Sequence, residues 1–317
     1  MSSYNKIDLD NIAKKNGFIR DNLEKVFRLV DILGYINTNP LLLGSLALKG
    51  GTAINLIVFE LPRLSVDIDL DFIIECSKEE MQNKRESINK EILYYMYSQG
   101  YELSKNTKNP HSLDSWAFNY INSGGNRDNI KIEINYSMRN HIYPLEMSLI
   151  KVDFLSSINI KALSPLELFG SKIKALIERT AARDLYDVHN MIKYNLFSNI
   201  EIESLRKVVV FYLAVGGRKK PITNYNFEAI DNLKYKDIRA NLIPVLRKTE
   251  NFDFVNAKIE VKDFLFDLIK LSENEIKFIE DFNRQKYSPK FLFEDDKILE
   301  RIVEHPMAIW KTRKKDN

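Results

Sequence analysis

Between residues 8 and 36 apolar side chains return every three or four positions, at Phe18, Leu23, Val26, Phe27, Val30 and Leu33, and this spacing predicts one amphipathic helix. Asn37-Thr38-Asn39-Pro40 then breaks it. A second apolar stretch, 46–59, reads as a helix opened by the turn Gly50-Gly51-Thr52. After Pro62 the period drops to two: in Val66-Asp67-Ile68-Asp69-Leu70-Asp71-Phe72-Ile73-Ile74 acidic and apolar residues alternate from the start, which predicts a strand with one face in a core. Residues 78–99 read as a charged, exposed helix. Residues 115–121 and 130–136 read as strands joined through Asn122-Ser123-Gly124-Gly125-Asn126, and 150–155 as a further short strand.

At Ser164 the pattern changes. Ser164-Pro165-Leu166-Glu167 combines a capping serine, a proline at the first helical position and a glutamate three residues after the cap. Helical periodicity follows over 165–178, 183–194 and 201–214, and in several segments between 238 and 303. The expected architecture is α+β: a mixed sheet flanked by helices over 1–163, then an all-helical domain over 164–317. The 317 residues exceed what one core usually holds, about 250–300 residues, so two domains agree with the length.

Composition narrows the chemistry. A hydrophobic content of 44% with 18 Phe and 15 Tyr supplies well-filled cores. Cys76 is the single cysteine, which excludes an intrachain disulfide and a cysteine-based zinc site. The four histidines, His111, His141, His189 and His305, are scattered, so any metal would be held by carboxylates, which suits magnesium or manganese. The opening MSSYNKIDLDNIAKKNG has no apolar run, so no secretion signal is expected. No apolar stretch approaches the roughly 20 residues that span a bilayer, so a soluble, cytoplasmic protein is expected. The net charge is +3, unevenly divided: residues 1–165 carry 19 basic against 20 acidic side chains and residues 166–317 carry 28 against 24. The acidic half can hold cations and the basic half can meet phosphates.

The candidate chemistry lies in the first half. Asp67, Asp69 and Asp71 share one face of their strand, and their mutual repulsion would be relieved by a divalent cation. An isolated Asp-x-Asp is equally an ordinary polar strand face. Here Lys49-Gly50-Gly51-Thr52 stands upstream, where two glycines let a backbone approach a ligand closely and a helix start offers N–H groups to phosphate. In Lys131-Ile132-Glu133-Ile134-Asn135, alternation puts Lys131, Glu133 and Asn135 on one face, from which Glu133 could join the acidic strand. In the second half, Lys172 and Arg179 share a face of one helix and Asp184 and Asp187 a face of the next. Packed as a hairpin, the two helices would bring these faces together.

In this order the segments resemble the AbiEii/AbiGii toxin family, within the DNA-polymerase-β-like nucleotidyltransferase superfamily. The resemblance covers Gly50-Gly51-Thr52 with Arg63-Leu64-Ser65-Val66-Asp67-Ile68-Asp69, then Lys131-Ile132-Glu133-Ile134, then the helix from Lys172 to Arg179, then Arg183-Asp184-Leu185-Tyr186-Asp187. Thr52 stands where many superfamily members have serine. The resemblance implies a polymerase-β-like catalytic domain whose active site is completed by the first two helices of the helical domain. It implies magnesium- or manganese-dependent transfer of a nucleoside monophosphate from an NTP to an acceptor hydroxyl, with the 3′ end of tRNA as favoured acceptor, and a cognate antitoxin encoded nearby. By the same resemblance Asp67, Asp69 and Glu133 are metal ligands. Catalysis would add Lys172 and Asp187 to these three. The nucleotide would be bound by Gly50, Gly51, Thr52, Arg63, Ser65 and Lys172, and Ser65 is a candidate regulatory position. Two alternatives stand beside this reading: a small-molecule nucleotidyltransferase of the antibiotic-modifying type, and a non-catalytic nucleotide-binding protein.

Overall fold

The computed structural model describes residues 4–105, 107 and 112–313. Two compact units form, each from more than one stretch of chain. The first takes the residues up to Arg139, Leu145–Leu163 and Pro244–Glu250; the second takes Asn140–Pro144, Ser164–Ile243 and Asn251 onward.

The first unit is built on a mixed sheet with strand order β3-β4-β5-β2-β1-β7-β6 among the described residues. Its helices are α1 (Lys6–Asn16), α2 (Arg20–Thr38), α3 (Pro40–Ser45), α4 (Gly50–Ala53) and α5 (Lys78–Ser98). Its strands are β1 (Leu46–Lys49), β2 (Asp67–Phe72), β3 (Glu102–Leu103), β4 (Leu113–Ile121), β5 (Arg127–Asn135), β6 (Glu146–Leu149) and β7 (Asn159–Ala162). The β4–β5 hairpin closes where the sequence places a turn: the Asn122 side chain accepts from the Gly124 and Asn126 N–H groups, and Gly125 takes the left-handed conformation. Trp116, Phe118, Ile132 and Ile134 of this hairpin are buried, as are Ile68 and Leu70 of β2, so the period-two pattern selects the core face.

Three expectations are corrected. The helix over 8–36 is two helices, because Gly17 closes α1 in a left-handed cap and Phe18 turns into the core. Residues 46–49 are strand β1, with the helix starting only at Gly50. β1 lies between β2 and β7, and a strand buried on both faces shows an unbroken apolar run that periodicity cannot tell from a buried helix. Residues 150–155 form no strand. The strands are β6 and β7 on either side, and β6 is a four-residue edge strand whose apolar residues Met147 and Leu149 are exposed, so no core face marks it.

The second unit is helical among its described residues: α6 (Pro165–Arg179), α7 (Ala182–Lys193), α8 (Asn199–Val215), α9 (Tyr235–Asn241), α10 (Phe254–Leu268), α11 (Glu273–Asn283), α12 (Asp296–Ile302) and α13 (Pro306–Thr312). Ser164 caps α6 by accepting from the Glu167 N–H, but the Glu167 side chain does not close a capping box. It is fully buried and accepts from the Ile142 and Tyr143 N–H groups and the Tyr212 hydroxyl, which is what fastens 140–144 to this unit. Burial pushes its carboxyl pKa up, and the nearby His141 and these donors only partly offset that. No helix among the described residues is long and apolar enough to cross a membrane.

Glu167→Ala leaves the Ile142 and Tyr143 N–H groups and the Tyr212 hydroxyl without this acceptor. It is expected to destabilise the protein by at least about 2 kcal/mol, read as a lowered thermal midpoint, while Glu167→Gln, which keeps an acceptor oxygen, should lose less. Equal losses would refute the role given to these hydrogen bonds.

Candidate active site

Strand β1 runs antiparallel to β2 with Lys49 opposite Asp69, and β2 runs parallel to β5 with Asp67 opposite Lys131 and Asp69 opposite Glu133. Directly opposed residues share a face, so Lys49, Asp67, Asp69, Lys131 and Glu133 line one side of the middle of the sheet while Leu48, Ile68, Leu70, Ile132 and Ile134 line the core side. The expected gathering of Asp67, Asp69 and Glu133 on neighbouring strands is thus how the strands pair.

The glycine turn meets this face directly. Helix α4 begins at the residue after β1, and Gly50 makes that corner at φ 71°. A Cβ on Gly50 would stand 2.6 Å from Asp69 Oδ2 and 3.2 Å from Asp69 Cγ. Gly50 is therefore needed twice, for its left-handed backbone and for the space that the Asp69 carboxylate fills. The Thr52 hydroxyl, buried, lies 2.9 Å from Ser65 Oγ and also bonds the Asp67 carbonyl, tying the helix start to the run into β2. The Gly51 carbonyl accepts from the Asn55 side chain at 2.8 Å. The helix then widens into a π turn over Ile54–Val58, and the chain reverses through Glu60 and Leu61, both at positive φ. For non-glycine residues such conformations cost about 1–3 kcal/mol each and persist only where the surroundings impose them.

Those surroundings come from far along the sequence. Residues 244–250 lie against this reversal: the Arg247 guanidinium donates to the Leu61 carbonyl, Leu64 N–H donates to the Val245 carbonyl at 2.8 Å, and Arg63 forms an isolated antiparallel bridge with Leu246. No local pattern marks this strap in the sequence. Arg63 itself, expected at the triphosphate, is 2% exposed and donates to the Leu64 carbonyl, so as placed it holds the segment that leads into β2.

Lysines balance the acidic face. Lys49 pairs with Asp71, which is buried. Lys131 pairs with Glu133 at 2.9 Å. Burial alone would lower the Lys131 pKa, but the bond to Glu133 and the charges of Glu133, Asp67 and Asp69 outweigh it, and the net shift is upward. The donor set of Asp67, Asp69 and Glu133 is all oxygen and suits a hard divalent cation. As the side chains stand, no group of three or more His, Cys, Asp or Glu residues among the described residues is gathered closely enough to hold one ion, and Glu133 is drawn to Lys131.

In the second unit the hairpin of α6 and α7 turns through Thr180, at φ 48°. Lys172 Nζ lies 2.9 Å from Asp184 Oδ1 and 3.1 Å from Asp187 Oδ2, and Arg179 forks onto Asp184 with contacts of 2.7 and 3.0 Å. Lys172 is 8% exposed and both aspartates are buried. Burial would raise the Asp184 carboxyl pKa, but the charge of Lys172 and the Arg179 fork more than reverse this and hold it low. The lysine thus joins both aspartates of the Arg-Asp-x-Tyr-Asp segment, where spacing alone suggested only opposed faces.

A family model described as "Nucleotidyl transferase AbiEii toxin, Type IV TA system" matches residues 32–282. Among solved structures, MenT4, a nucleotidyltransferase toxin from Mycobacterium tuberculosis H37Rv, superposes with a TM-score of 0.64 at 16% identity, covering 97% of this chain and 99% of that one. JHP933 from Helicobacter pylori superposes with a TM-score of 0.50 at 18% identity, covering 80% of this chain and 94% of that one. At these identities the two likenesses speak for the fold. No match is found among curated proteins.

Three outcomes follow from the geometry. Gly50→Ala should lower the thermal midpoint, and because its clash partner is Asp69, the double variant Gly50→Ala/Asp69→Ala should be less destabilised than the two single losses added together. Strict additivity would dismiss the contact. Lys172→Met strands buried carboxylate charge and should cost about 3–5 kcal/mol. The Asp184 share has a definite pH sign: its folded pKa lies below the ordinary value of about 3.9, so its stabilisation is complete above that pH and is lost as pH falls through the folded value. A melting series from pH 7 down to pH 2 on Asp184→Asn, set against the unsubstituted protein, should show the difference between them shrinking only at the acid end.

Proposed function

Because the chain belongs to the AbiEii family of nucleotidyl transferase toxins of type IV toxin–antitoxin systems, we propose that it transfers a nucleoside monophosphate from an NTP to a hydroxyl of an RNA acceptor, with the 3′ end of tRNA the first to test. The family implies a nucleotide substrate and a cognate antitoxin. An acceptor of this kind would place its work in the cytoplasm.

The observation that carries the reading is the approach of Asp69 to Gly50, with Thr52 bonded to Ser65 and to the Asp67 carbonyl. It sets a helix start and two carboxylates at one corner of the sheet, the combination that a nucleoside triphosphate with its cation requires. In this proposal Asp67 and Asp69 would hold two magnesium or manganese ions, and Glu133 would be their third ligand once free of Lys131. Bound there, the metal ions would neutralise phosphate charge and favour the ionised acceptor hydroxyl. The Gly51 and Thr52 backbone N–H groups face the terminal phosphates, and Arg63 positions the run into β2. The acceptor oxygen forms a bond to the α-phosphorus while the bond to the β-phosphate oxygen breaks. Pyrophosphate leaves with that electron pair, and the hydroxyl proton passes to the Asp67 or Glu133 carboxylate. Lys172 and Asp187 contribute to turnover, Lys172 as a countercharge to the triphosphate and Asp187 by orienting it. Ser65 is the proposed regulatory position: a phosphoryl group on its Oγ would displace the Thr52 bond and add negative charge beside Asp67.

The deciding experiment incubates the protein with each labelled NTP, magnesium and total RNA, and follows label into RNA. Asp67→Asn and Asp69→Asn should fold and lose at least about 10²–10³ in rate. Asp187→Asn, assayed per folded molecule, should lose turnover beyond its loss of stability. Full transfer by Asp67→Asn protein would overturn the proposal. Label entering only small molecules would replace the RNA acceptor with a small one.

A further inference from the structure

Helix α8 ends in Gly216-Gly217-Arg218-Lys219-Lys220, a basic run that nothing in the proposed reaction uses. It is not a loose loop. Gly217 packs so tightly on the last turn of α8 that a Cβ there would overlap the Leu213 carbonyl. Lys311 of α13 donates its ammonium to the Ala214 carbonyl at 2.9 Å and to the Gly217 carbonyl. The Arg218 N–H donates to Glu178 at 2.8 Å, and Glu178 also pairs with Lys174. Asn283 donates to the Pro221 carbonyl at 2.9 Å. Held by Lys311, Glu178 and Asn283, the backbone presents Arg218, Lys219 and Lys220 in a row, all three exposed. Lys311 therefore ties α13 to the end of α8 across nearly a hundred residues of chain.

The row forms a ridge between two clefts. The larger, about 480 Å3, is lined by Arg218, Lys219 and Lys220 with Asn224, Tyr225 and Asn226, by apolar side chains, and by Glu178, whose carboxylate is engaged by the Arg218 N–H and Lys174. The smaller, about 200 Å3, shares the same three cations and reaches Asn283 and Gln285. Trp310, on the helix that Lys311 anchors, is 64% exposed.

We propose that this ridge and its larger cleft dock single-stranded RNA, with Arg218, Lys219 and Lys220 on backbone phosphates and the amides and Tyr225 ring of the cleft beside a base. The inference rests on the RNA-acceptor reading above and supplies a surface for that acceptor. Consecutive cations beside a cleft whose lining includes two amides, an aromatic ring and apolar side chains fit a chain that alternates phosphates with planar, hydrogen-bonding bases. The cleft also falls within the about 300–1,000 Å3 usual for small organic groups. An acidic protein segment would be served by the cations alone, and a membrane surface would call for a flat face with no clefts.

The test uses the full chain. Binding of a fluorescein-labelled single-stranded oligoribonucleotide is measured by anisotropy over a salt series, with R218Q/K219Q/K220Q compared with the charge-conserving R218K/K219R/K220K. The neutral variant should bind at least about 10-fold more weakly at low salt, and its slope of log K against log[salt] should flatten by about 2, three phosphate contacts at about 0.7 each for single strands. The charge-conserving variant should bind as the unsubstituted protein does. In label transfer, KM for RNA should rise while kcat at saturating RNA stays put, which separates docking from chemistry. Unchanged affinity and slope in the neutral variant overturn the inference. So does a loss confined to binding of the purified antitoxin or of phosphatidylserine vesicles. The two readings fail apart: transfer to RNA with a normal neutral variant defeats only the docking surface, and salt-sensitive binding through the ridge with no transfer to RNA defeats only the proposed reaction.

Discussion

A carboxylate resting over a glycine organises the first unit. Asp69 can lie where it does only because Gly50 has no side chain, and Gly50 can turn from strand to helix within one residue only because it tolerates φ 71°. The antiparallel register that sets Lys49 opposite Asp69 delivers the two to the same place. A slip by one residue would turn Asp67, Asp69 and Asp71 into the core and Ile68 and Leu70 out of it, so burial of the apolar face fixes the acidic one. The Thr52 hydroxyl then fastens the helix start to the opposite end of the turn. The glycine pair and the aspartate pair, 16 positions apart at their nearest, are one constellation for this reason.

Charge on this face is managed by lysines from the flanking strands. Asp71, third in the acidic row, is neutralised by Lys49 and taken out of reach, which leaves Asp67 and Asp69 as the pair beside the turn. Lys131 occupies the negative field of Asp67, Asp69 and Glu133 while holding Glu133 to itself. The three carboxylates raise the affinity of Lys131 for its proton and outweigh the cost of its partial burial. In the second unit Lys172 stands between two buried aspartates, where it is more constrained. Its removal costs stability whatever else it does, so turnover there has to be measured per folded molecule.

The strain at Glu60 and Leu61 shows the same economy of position. The chain must reverse between the π turn and the run into β2, and it does so through two residues that sterics disfavour there. The strap over 244–250 closes hydrogen bonds on that reversal that local sequence cannot supply. The residues that support this reversal therefore include three, Val245, Leu246 and Arg247, that no local pattern in the sequence singles out.

What the sequence determined by itself was the chemistry and its faces. Strict alternation put Asp67, Asp69 and Glu133 on the polar sides of their strands, the Gly50-Gly51-Thr52 turn announced a close approach, and helical spacing paired the Lys172 face with the Asp184 and Asp187 face. The strand and helix faces rest on a period of 2 or 3.6, which a few residues suffice to show, and the turn rests on the backbone freedom of glycine. The tertiary structure decided what depends on neighbours distant in the chain. It made 46–49 a central strand, since an apolar run buried on both faces has no period to read. It turned Glu167 from a helix cap to the backbone of 142–143, and it buried Arg63 against the Leu64 carbonyl. It gave Asp71 to Lys49 and brought Lys311 to the end of α8. Partner choice of this kind follows from which groups burial brings within hydrogen-bonding distance, and that is settled by the packing of whole elements and not by any local pattern.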